Sequence, residues 1–154
     1  MENLILEEGI KAPDFTLIGS DNKEHKLSDY LNQKIILYFY PKDNTPGCSQ
    51  EAQDFKNAIE EFSSKNTVIL GISRDSIKSH DKFIAKYDLP FILLSDEDET
   101  VCNLYGVLKE KNMFGKKSIG VERSTFLINE DGIITKVYRK VKVPGHVENL
   151  KCSL

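Results

Sequence analysis

The chain has 154 residues, of which 29% are charged, and a net charge of −3. A chain of this length buries about two thirds of its unfolded surface when it folds as one unit. We therefore expect a single domain over residues 1–154. An acidic chain that mixes both signs of charge lacks the basic face of a nucleic-acid-binding protein, so that class is excluded.

Membrane and secretory signals are missing from the sequence. No apolar run approaches the roughly 18 residues that a membrane span requires. The first residues, MENLILEEGIK, lack the basic region and the cleavage site of a signal peptide. The 3 cysteines are an odd number and widely spaced, which does not suit a disulfide framework. We expect a cytoplasmic protein whose thiols stay reduced.

Strand and helix signals alternate along the chain and predict an α/β fold. Segments 15–18 and 23–27 flank a turn-rich cluster and predict an N-terminal β-hairpin. Strands are then expected at residues 35–40, 67–72, 91–94, 124–128 and 133–139. Helices are expected at residues 28–31, 48–62, 76 or 79–87, 96–106 and 146–151, with a basic loop at 109–117.

The chain is organised around the stretch from Ile35 to Phe62. It opens with IILYFY, a short apolar run that suits a parallel strand buried on both faces. Pro41 ends this strand because it cannot donate to a central ladder. A turn-rich segment follows, and Cys48 lies where that loop becomes an amphipathic helix. A βα unit with a cysteine at the helix start is the layout of a thioredoxin fold, here with a central mixed sheet flanked by helices.

The position of Cys48 favours a reactive thiol. The first turn of a helix carries unpaired N–H groups and the positive end of the macrodipole. A thiol there loses its proton more easily, and the thiolate is the reactive form. The alternative is a small buried hydrophobic residue, which is what most free cysteines are. Position alone leaves both readings open.

The loop before Cys48 carries Pro41, Thr45 and Pro46. Three residues separate Pro41 from Thr45, and two more separate Thr45 from the cysteine, in the pattern P-x-x-x-T-x-x-C. The Thr45 hydroxyl could approach the sulfur and donate or accept a hydrogen bond. An ordinary helix N-cap explains Thr45 equally well. The prolines stiffen the loop and would keep water from the thiolate.

Two charged residues complete the candidate site. Glu51 lies one helical turn after Cys48 and could orient a cation, although a solvated first-turn acid is the common alternative. Arg123 precedes the strand at 124–128, where a lone arginine is usually a surface residue. Neither residue identifies a function by itself.

Five segments together resemble the peroxiredoxins, and most closely the bacterioferritin-comigratory, or PrxQ, branch. They are YFYPKDNTPGC, GISRDSIKSHDKF, LLSDEDETVCNLYGV, GVERSTFLINEDG and KVKVPGH. The resemblance implies a thioredoxin fold and a thiol peroxidase that reduces hydrogen peroxide and organic hydroperoxides. Its electron donor would be a thioredoxin-like protein or a small thiol. No cofactor or metal is implied, and we expect a monomer, with a weak dimer as the alternative.

The resemblance also implies a role for each site residue. Cys48 would be the peroxidatic cysteine, with Thr45 and Arg123 binding the peroxide and activating the thiolate. Pro41 would shield the sulfur, and Glu51 would hold the arginine. The chemistry agrees, because thiolate attack on the O–O bond develops negative charge on the departing oxygen, which fixed donors stabilise. The sulfur becomes a sulfenic acid that a second thiol must reduce.

The second thiol is where the chain departs from this branch. The common pattern of the PrxQ branch has a resolving cysteine five residues after the peroxidatic one, where this chain has Gln53. A rarer version of the branch has the resolving cysteine at the position of Ile84. Only Cys102 and Cys152 remain. Cys102 lies in a helical pattern typical of a buried structural thiol, and Cys152 is next to the chain end. We therefore expect a one-cysteine mechanism with an external thiol, and rank Cys102 second and Cys152 third as resolving residues.

Other classes fit the sequence less well. A dithiol oxidoreductase needs C-x-x-C, and a phosphatase needs a cation soon after the cysteine, whereas the first one after Cys48 is Lys56. A cysteine hydrolase pairs its thiol with a histidine. Nothing ties His25, His80 or His146 to Cys48, and we expect these histidines at the surface. Zinc ligands would need closer spacing. A thioredoxin-fold binding or chaperone module, with Cys48 not catalytic, is the remaining alternative.

Overall fold

A computed structural model describes residues 6–154 of the chain. The strands are β1 (Thr16–Gly19), β2 (Glu24–Lys26), β3 (Lys34–Phe39), β4 (Thr67–Ser73), β5 (Ile92–Ser95), β6 (Leu108–Met113), β7 (Lys116–Val121), β8 (Ser124–Ile128) and β9 (Ile134–Tyr138). The helices are α1 (Pro46–Asn57), α2 (Ile59–Ser64), α3 (Ile77–Tyr87), α4 (Thr100–Leu104) and α5 (His146–Ser153), with a 3₁₀ helix at Leu27–Tyr30.

Seven strands form one mixed sheet in the order β2-β1-β5-β4-β3-β8-β9. The central strands β3, β4 and β5 run parallel, and the outer pairings are antiparallel. The parallel centre follows from the βα connections, since parallel neighbours need a crossover while antiparallel ones need only a turn. The predicted α/β fold, with its central mixed sheet, flanking helices and N-terminal hairpin, is confirmed.

The two faces of this sheet carry two separate hydrophobic clusters. Side chains alternate along a strand, so neighbouring residues of β3 such as Leu37 and Tyr38 point to opposite faces. One cluster contains Leu37, Phe126 and Cys102, and we call its side the α4 face. The other contains Tyr38, Cys48 and residues of α3 and α5, and we call its side the α1 face. The candidate thiol therefore belongs to the α1 face.

Three sequence-based expectations about elements are wrong. The expected loop at 109–117 is a hairpin, β6–β7, whose exposed faces carry no hydrophobic alternation. The sequence feature that could have predicted this hairpin is its turn at Phe114 and Gly115, since both residues have the positive φ of a tight hairpin turn. The helix expected at 48–62 is interrupted at Ala58, which joins α1 to α2. The short helix expected at 28–31 is a 3₁₀ helix that begins one residue earlier, at Leu27.

None of the helices in residues 6–154 combines the length and the apolar character needed to cross a bilayer.

Candidate active site

Cys48 lies in the first turn of α1, on the α1 face of the sheet. Thr45 is the helix N-cap and Pro46 the first helical residue, where proline's missing N–H costs nothing. The backbone of the preceding loop is anchored to the sheet, because the Tyr40 N–H donates to the Ile72 carbonyl at 3.1 Å. The Cys48 side chain is buried beneath this loop. The helix start thus holds the sulfur at the edge of the core.

The Arg123 guanidinium lies against the sulfur. Its Nη2 is 3.4 Å from Cys48 Sγ, and its Nη1 donates to Glu51 Oε1 at 2.6 Å. Register explains the approach, since Phe39 pairs with Ser124 and the residue before Ser124 therefore lies beside the loop that leaves β3. Burial alone would lower the pKa of Arg123, but the neighbouring Glu51 and Cys48 raise it above its ordinary value. The surface location considered for Arg123 is wrong, because only 15% of its side chain is exposed.

Glu51 lies beneath this arginine and out of solvent. It follows Cys48 by three residues, so the two side chains share one face of α1. Its side chain is 0% exposed, and the alternative of a solvated first-turn acid is wrong. Burial raises the pKa of Glu51 to about 7, even though the charge and hydrogen bond of Arg123 act to lower it. The carboxyl therefore titrates close to neutrality.

Thr45 does not cap α1 with its side chain. Its hydroxyl donates to the Lys42 carbonyl at 2.8 Å, across the turn that precedes the helix. This bond uses the hydroxyl proton and leaves the oxygen free to accept a hydrogen bond. Pro41 is half-buried at the start of the same loop.

Gly47 is a site residue that the sequence analysis missed. A Cβ placed on it would lie 3.1 Å from Arg123 Nη2, closer than side-chain atoms normally approach. The missing side chain therefore makes room for the guanidinium next to Cys48. The signal was the glycine between Pro46 and Cys48, which reads equally well as part of an ordinary helix entry.

Asp43 is a second residue that was missed, and it ties the loop to α3. Its carboxylate accepts hydrogen bonds from the Tyr40 hydroxyl at 2.5 Å and the Ser79 hydroxyl at 2.8 Å. His80 Nδ1 lies 2.7 Å from the same carboxylate, and His80 Nε2 donates to the Leu94 carbonyl at 3.1 Å. These contacts hold the loop that carries Thr45. Nothing in the sequence signalled this network, because Ser79 and His80 are distant from Asp43 along the chain.

The expectation of surface histidines is wrong. His80 is fully buried, and His25 and His146 are at most 9% exposed. His25 bonds to Asp21 and Tyr30, and His146 Nε2 lies 2.9 Å from the Thr125 hydroxyl. None of the hydrogen bonds within residues 6–154 joins a histidine to Cys48, in agreement with the sequence-based argument against a cysteine hydrolase.

The other two cysteines lie away from the site. Cys102 is fully buried in α4, in the cluster on the other face of the sheet. Burial, with the hydrogen bond and charge of Asp96, raises the pKa of its thiol. Cys152 is exposed in the last turn of α5. There Lys65, which follows α2, donates to the Lys151 carbonyl at 3.2 Å.

The two positions where related proteins carry a resolving cysteine are occupied by other side chains. Gln53 is half-buried on α1 and donates to the Ser49 carbonyl at 3.1 Å. Ile84 packs from α3 against the cluster that contains Cys48.

A buried cysteine at a helix start, paired with an arginine on a thioredoxin fold, defines a thiol-dependent peroxidase. The chain belongs to the AhpC/TSA family, whose profile matches residues 9–137. Its relatives identify it as a peroxiredoxin of the Bcp, or PrxQ, branch, which confirms the resemblance seen in the sequence. Family membership implies a peroxide substrate and a thioredoxin-type reductant, so the alternative of a non-catalytic binding or chaperone module is set aside.

Three relatives illustrate the similarity. Peroxiredoxin Bcp of Bacillus subtilis is 49% identical over 144 residues, which are 94% of this chain and 92% of the relative. A PrxQ mutant of Xylella fastidiosa superposes with a TM-score of 0.92 at 44% identity, covering 96% of this chain and 94% of that one. The bacterioferritin comigratory protein of Xanthomonas campestris, described for its alkyl peroxide reduction, superposes with a TM-score of 0.87 at 44% identity. That match covers 90% of this chain and 88% of the other.

Proposed function

We propose that Cys48 is the peroxidatic residue and works by a one-cysteine mechanism. The observation that carries this proposal is the contact of Arg123 Nη2 with Cys48 Sγ at 3.4 Å. A permanent cation at this distance attracts the negative charge that the sulfur carries when it attacks as a thiolate. The sulfur then attacks one peroxide oxygen and becomes a sulfenic acid, while the other oxygen leaves with negative charge.

Donors around the sulfur are proposed to stabilise that departing charge, and Thr45 to orient the peroxide. The Arg123 guanidinium and the N–H groups at the start of α1 are donors aimed at the region above the sulfur. The Thr45 oxygen is free to accept from the peroxide hydroxyl, because its own proton is used on Lys42. Pro41 shields the sulfur from bulk water, and Glu51 holds Arg123 in place.

The resolving step is proposed to use an external thiol. A disulfide requires two Cα atoms within about 7 Å. The location of Cys102 on the α4 face argues against a direct bond with Cys48. Cys152 is near Lys65, whereas Cys48 begins α1, and that helix alone carries the chain about 14 Å away by Asn57. A thioredoxin-like protein or a small thiol would therefore reduce the sulfenic acid.

Substrate and setting follow from the same reading. Hydrogen peroxide and organic hydroperoxides are the proposed substrates, and the alkyl peroxide activity described for the Xanthomonas relative supports the second class. We propose that residues 1–154 form one domain and act as a monomer in the cytoplasm. Cysteines 48, 102 and 152 are free, as a reducing compartment favours.

The direct test compares peroxide consumption by the wild type, Cys48→Ser and Cys152→Ser with a dithiol reductant. We expect Cys48→Ser to lose activity and Cys152→Ser to keep it, because only the first removes the proposed nucleophile. Intact mass after one equivalent of peroxide should show one added oxygen on Cys48. Activity in Cys48→Ser would contradict the proposal.

A further inference from the structure

One oxygen of the Glu51 carboxyl has no partner. Oε1 accepts from Arg123, but Oε2 is buried and has no hydrogen-bond partner within the described residues. A buried ionised carboxylate with an unpaired oxygen is costly, whereas the protonated form carries no charge. The proton can occupy Oε2 without disturbing the bond from Arg123 to Oε1. The geometry thus suits a carboxylic acid as well as a carboxylate.

Counting charges gives a second, independent argument. Cys48 and Glu51 are two potential anions, and they share the single cation Arg123. With one anion the buried cluster is neutral, and with both it carries a net negative charge that has little access to solvent. The two ionisations therefore oppose each other. When Cys48 is a thiolate, Glu51 favours its protonated form.

Neighbouring groups offer no other proton in the working range. Burial, then Glu51 and Cys48, raise the pKa of the Tyr38 hydroxyl well above 10, so it stays neutral. Burial and Arg123 lower the pKa of His146 to about 4, so it is uncharged near neutrality. Asp54, one turn further along α1, adds a negative charge that acts with burial to raise the pKa of Glu51.

We propose that Glu51 is the proton store of the peroxidatic step, holding a proton while Cys48 is a thiolate and releasing it when Cys48 becomes a neutral sulfenic acid. This proposal rests on the peroxidatic role proposed for Cys48. Thiolate attack forms the S–O bond and breaks the O–O bond, so the sulfur loses two electrons and the peroxide gains them. The departing alkoxide or hydroxide needs one proton, and Glu51 supplies it and becomes a carboxylate. Reduction of the sulfenic acid regenerates the Cys48 thiol, whose proton returns to Glu51.

The test counts protons taken from solvent for each Cys48 that peroxide oxidises. A pH indicator in a stopped-flow instrument measures uptake, peptide mass measures oxidation, and ultraviolet absorbance measures the starting thiolate. The variant is Glu51→Gln, which keeps an acceptor for Arg123 but cannot release a proton. Glu60→Gln is the matched control, since it removes the same charge from an exposed position on α2.

At about pH 7.5, the wild type should take up well under one proton per thiolate, because Glu51 releases its proton once the thiolate beside it is oxidised. At about pH 6 uptake should approach one, since Glu51, whose pKa is about 7 beside a neutral residue 48, stays protonated after oxidation. Glu51→Gln should take up about one proton throughout, and Glu60→Gln should follow the wild type. Equal uptake in the wild type and Glu51→Gln at about pH 7.5 would overturn the proposal. If peroxide fails to oxidise Cys48 at all, the proposed function itself is wrong, so the two failures are distinguishable.

An infrared difference spectrum provides a measurement that needs no variant. Oxidation of the wild-type protein at about pH 7.5 should diminish the carbonyl stretch of a protonated carboxylic acid and add carboxylate bands, since the Cys48 thiolate favours protonated Glu51 and the neutral sulfenic acid does not. A spectrum with no such loss would overturn the proposal even if Glu51→Gln did not fold.

Discussion

Cys48 and Cys102 lie on opposite faces of the seven-stranded sheet, each in its own hydrophobic cluster. The sheet is the most continuous hydrogen-bonded element of the fold, so a bond between the two sulfurs would require more than a loop movement. Local opening of α4 would have to carry Cys102 past the sheet before its sulfur could reach Cys48. This relationship favours an external resolving thiol over the internal rival.

The first prediction follows from that separation. We expect one equivalent of peroxide to give the same oxidised form of the protein in the wild type, in Cys102→Ala and in Cys152→Ser. Non-reducing intact mass should show a gain of one oxygen in both variants and in the wild type. Loss of two hydrogens in the wild type, abolished by one of these substitutions, would identify that cysteine as the resolving residue and exclude the one-cysteine mechanism.

The second prediction concerns the guanidinium at Cys48. Arg123→Ala should slow oxidation of Cys48 on the order of 10²-fold, by analogy with the loss of one oxyanion-hole donor. Arg123→Lys should recover part of the rate, because it restores the charge without the planar fork that spans the sulfur and Glu51. Arg139→Ala is the control, since Arg139 donates to the Gly106 carbonyl away from the site. Rates within twofold of this control would exclude a role for Arg123.

Sequence reasoning reached the fold and the position of Cys48 at a helix start because both have local signals. The apolar run 35–40 and the helix start at Cys48 can each be recognised from a contiguous stretch of sequence. The environment of Glu51 could not be read in this way, since burial beneath Arg123 depends on the pairing of Phe39 with Ser124. Long-range register has no local signature.

The predictions for the exposed hairpin and for the buried histidines were wrong for related reasons. Strands β6 and β7 have two solvated faces, so period-two hydrophobicity is absent, and only the turn at Gly115 marked them. His80 is buried because Asp43, 37 residues away in sequence, accepts its hydrogen bond. A polar residue with a distant partner looks like a surface residue when only its sequence neighbours are visible.

The third prediction tests the space that Gly47 leaves for Arg123. Gly47→Ala should slow Cys48 oxidation about tenfold, because its Cβ, 3.1 Å from Nη2, forces the guanidinium to shift by a few tenths of an ångström. Alanine suits a helix better than glycine, so thermal stability should not fall. Gln50→Ala, an exposed change in the same helix, is the control. A rate equal to the control would mean that the arginine does not need this space.

The fourth prediction concerns the anchor of the loop on α3. Asp43→Asn removes the buried charge that Tyr40, Ser79 and His80 contact, and should lower the free energy of unfolding by about 3 kcal/mol. The matched control is Asp81→Asn, an exposed change on α3. Urea unfolding of both variants measures the difference. A loss no greater than that of the control would show that the Asp43 network does not hold the loop.

The last prediction concerns the pH dependence of stability that Glu51 introduces. Burial raises the pKa of Glu51 from 4.5 to about 7 in the folded protein, so the folded state binds this proton more tightly than the unfolded chain. The resulting stabilisation is fully present below pH 4.5 and is lost as the pH rises through about 7. We therefore expect Glu51→Gln to gain on the order of 3 kcal/mol relative to the parent across this range, since the amide does not ionise. Urea unfolding in a Cys48→Ser background, where no peroxidatic thiol titrates, measures this difference, with Glu60→Gln as the control. A difference between Glu51→Gln and its parent that stays constant with pH would show that the carboxyl beneath Arg123 keeps an ordinary pKa, and the proton store would lose its physical basis.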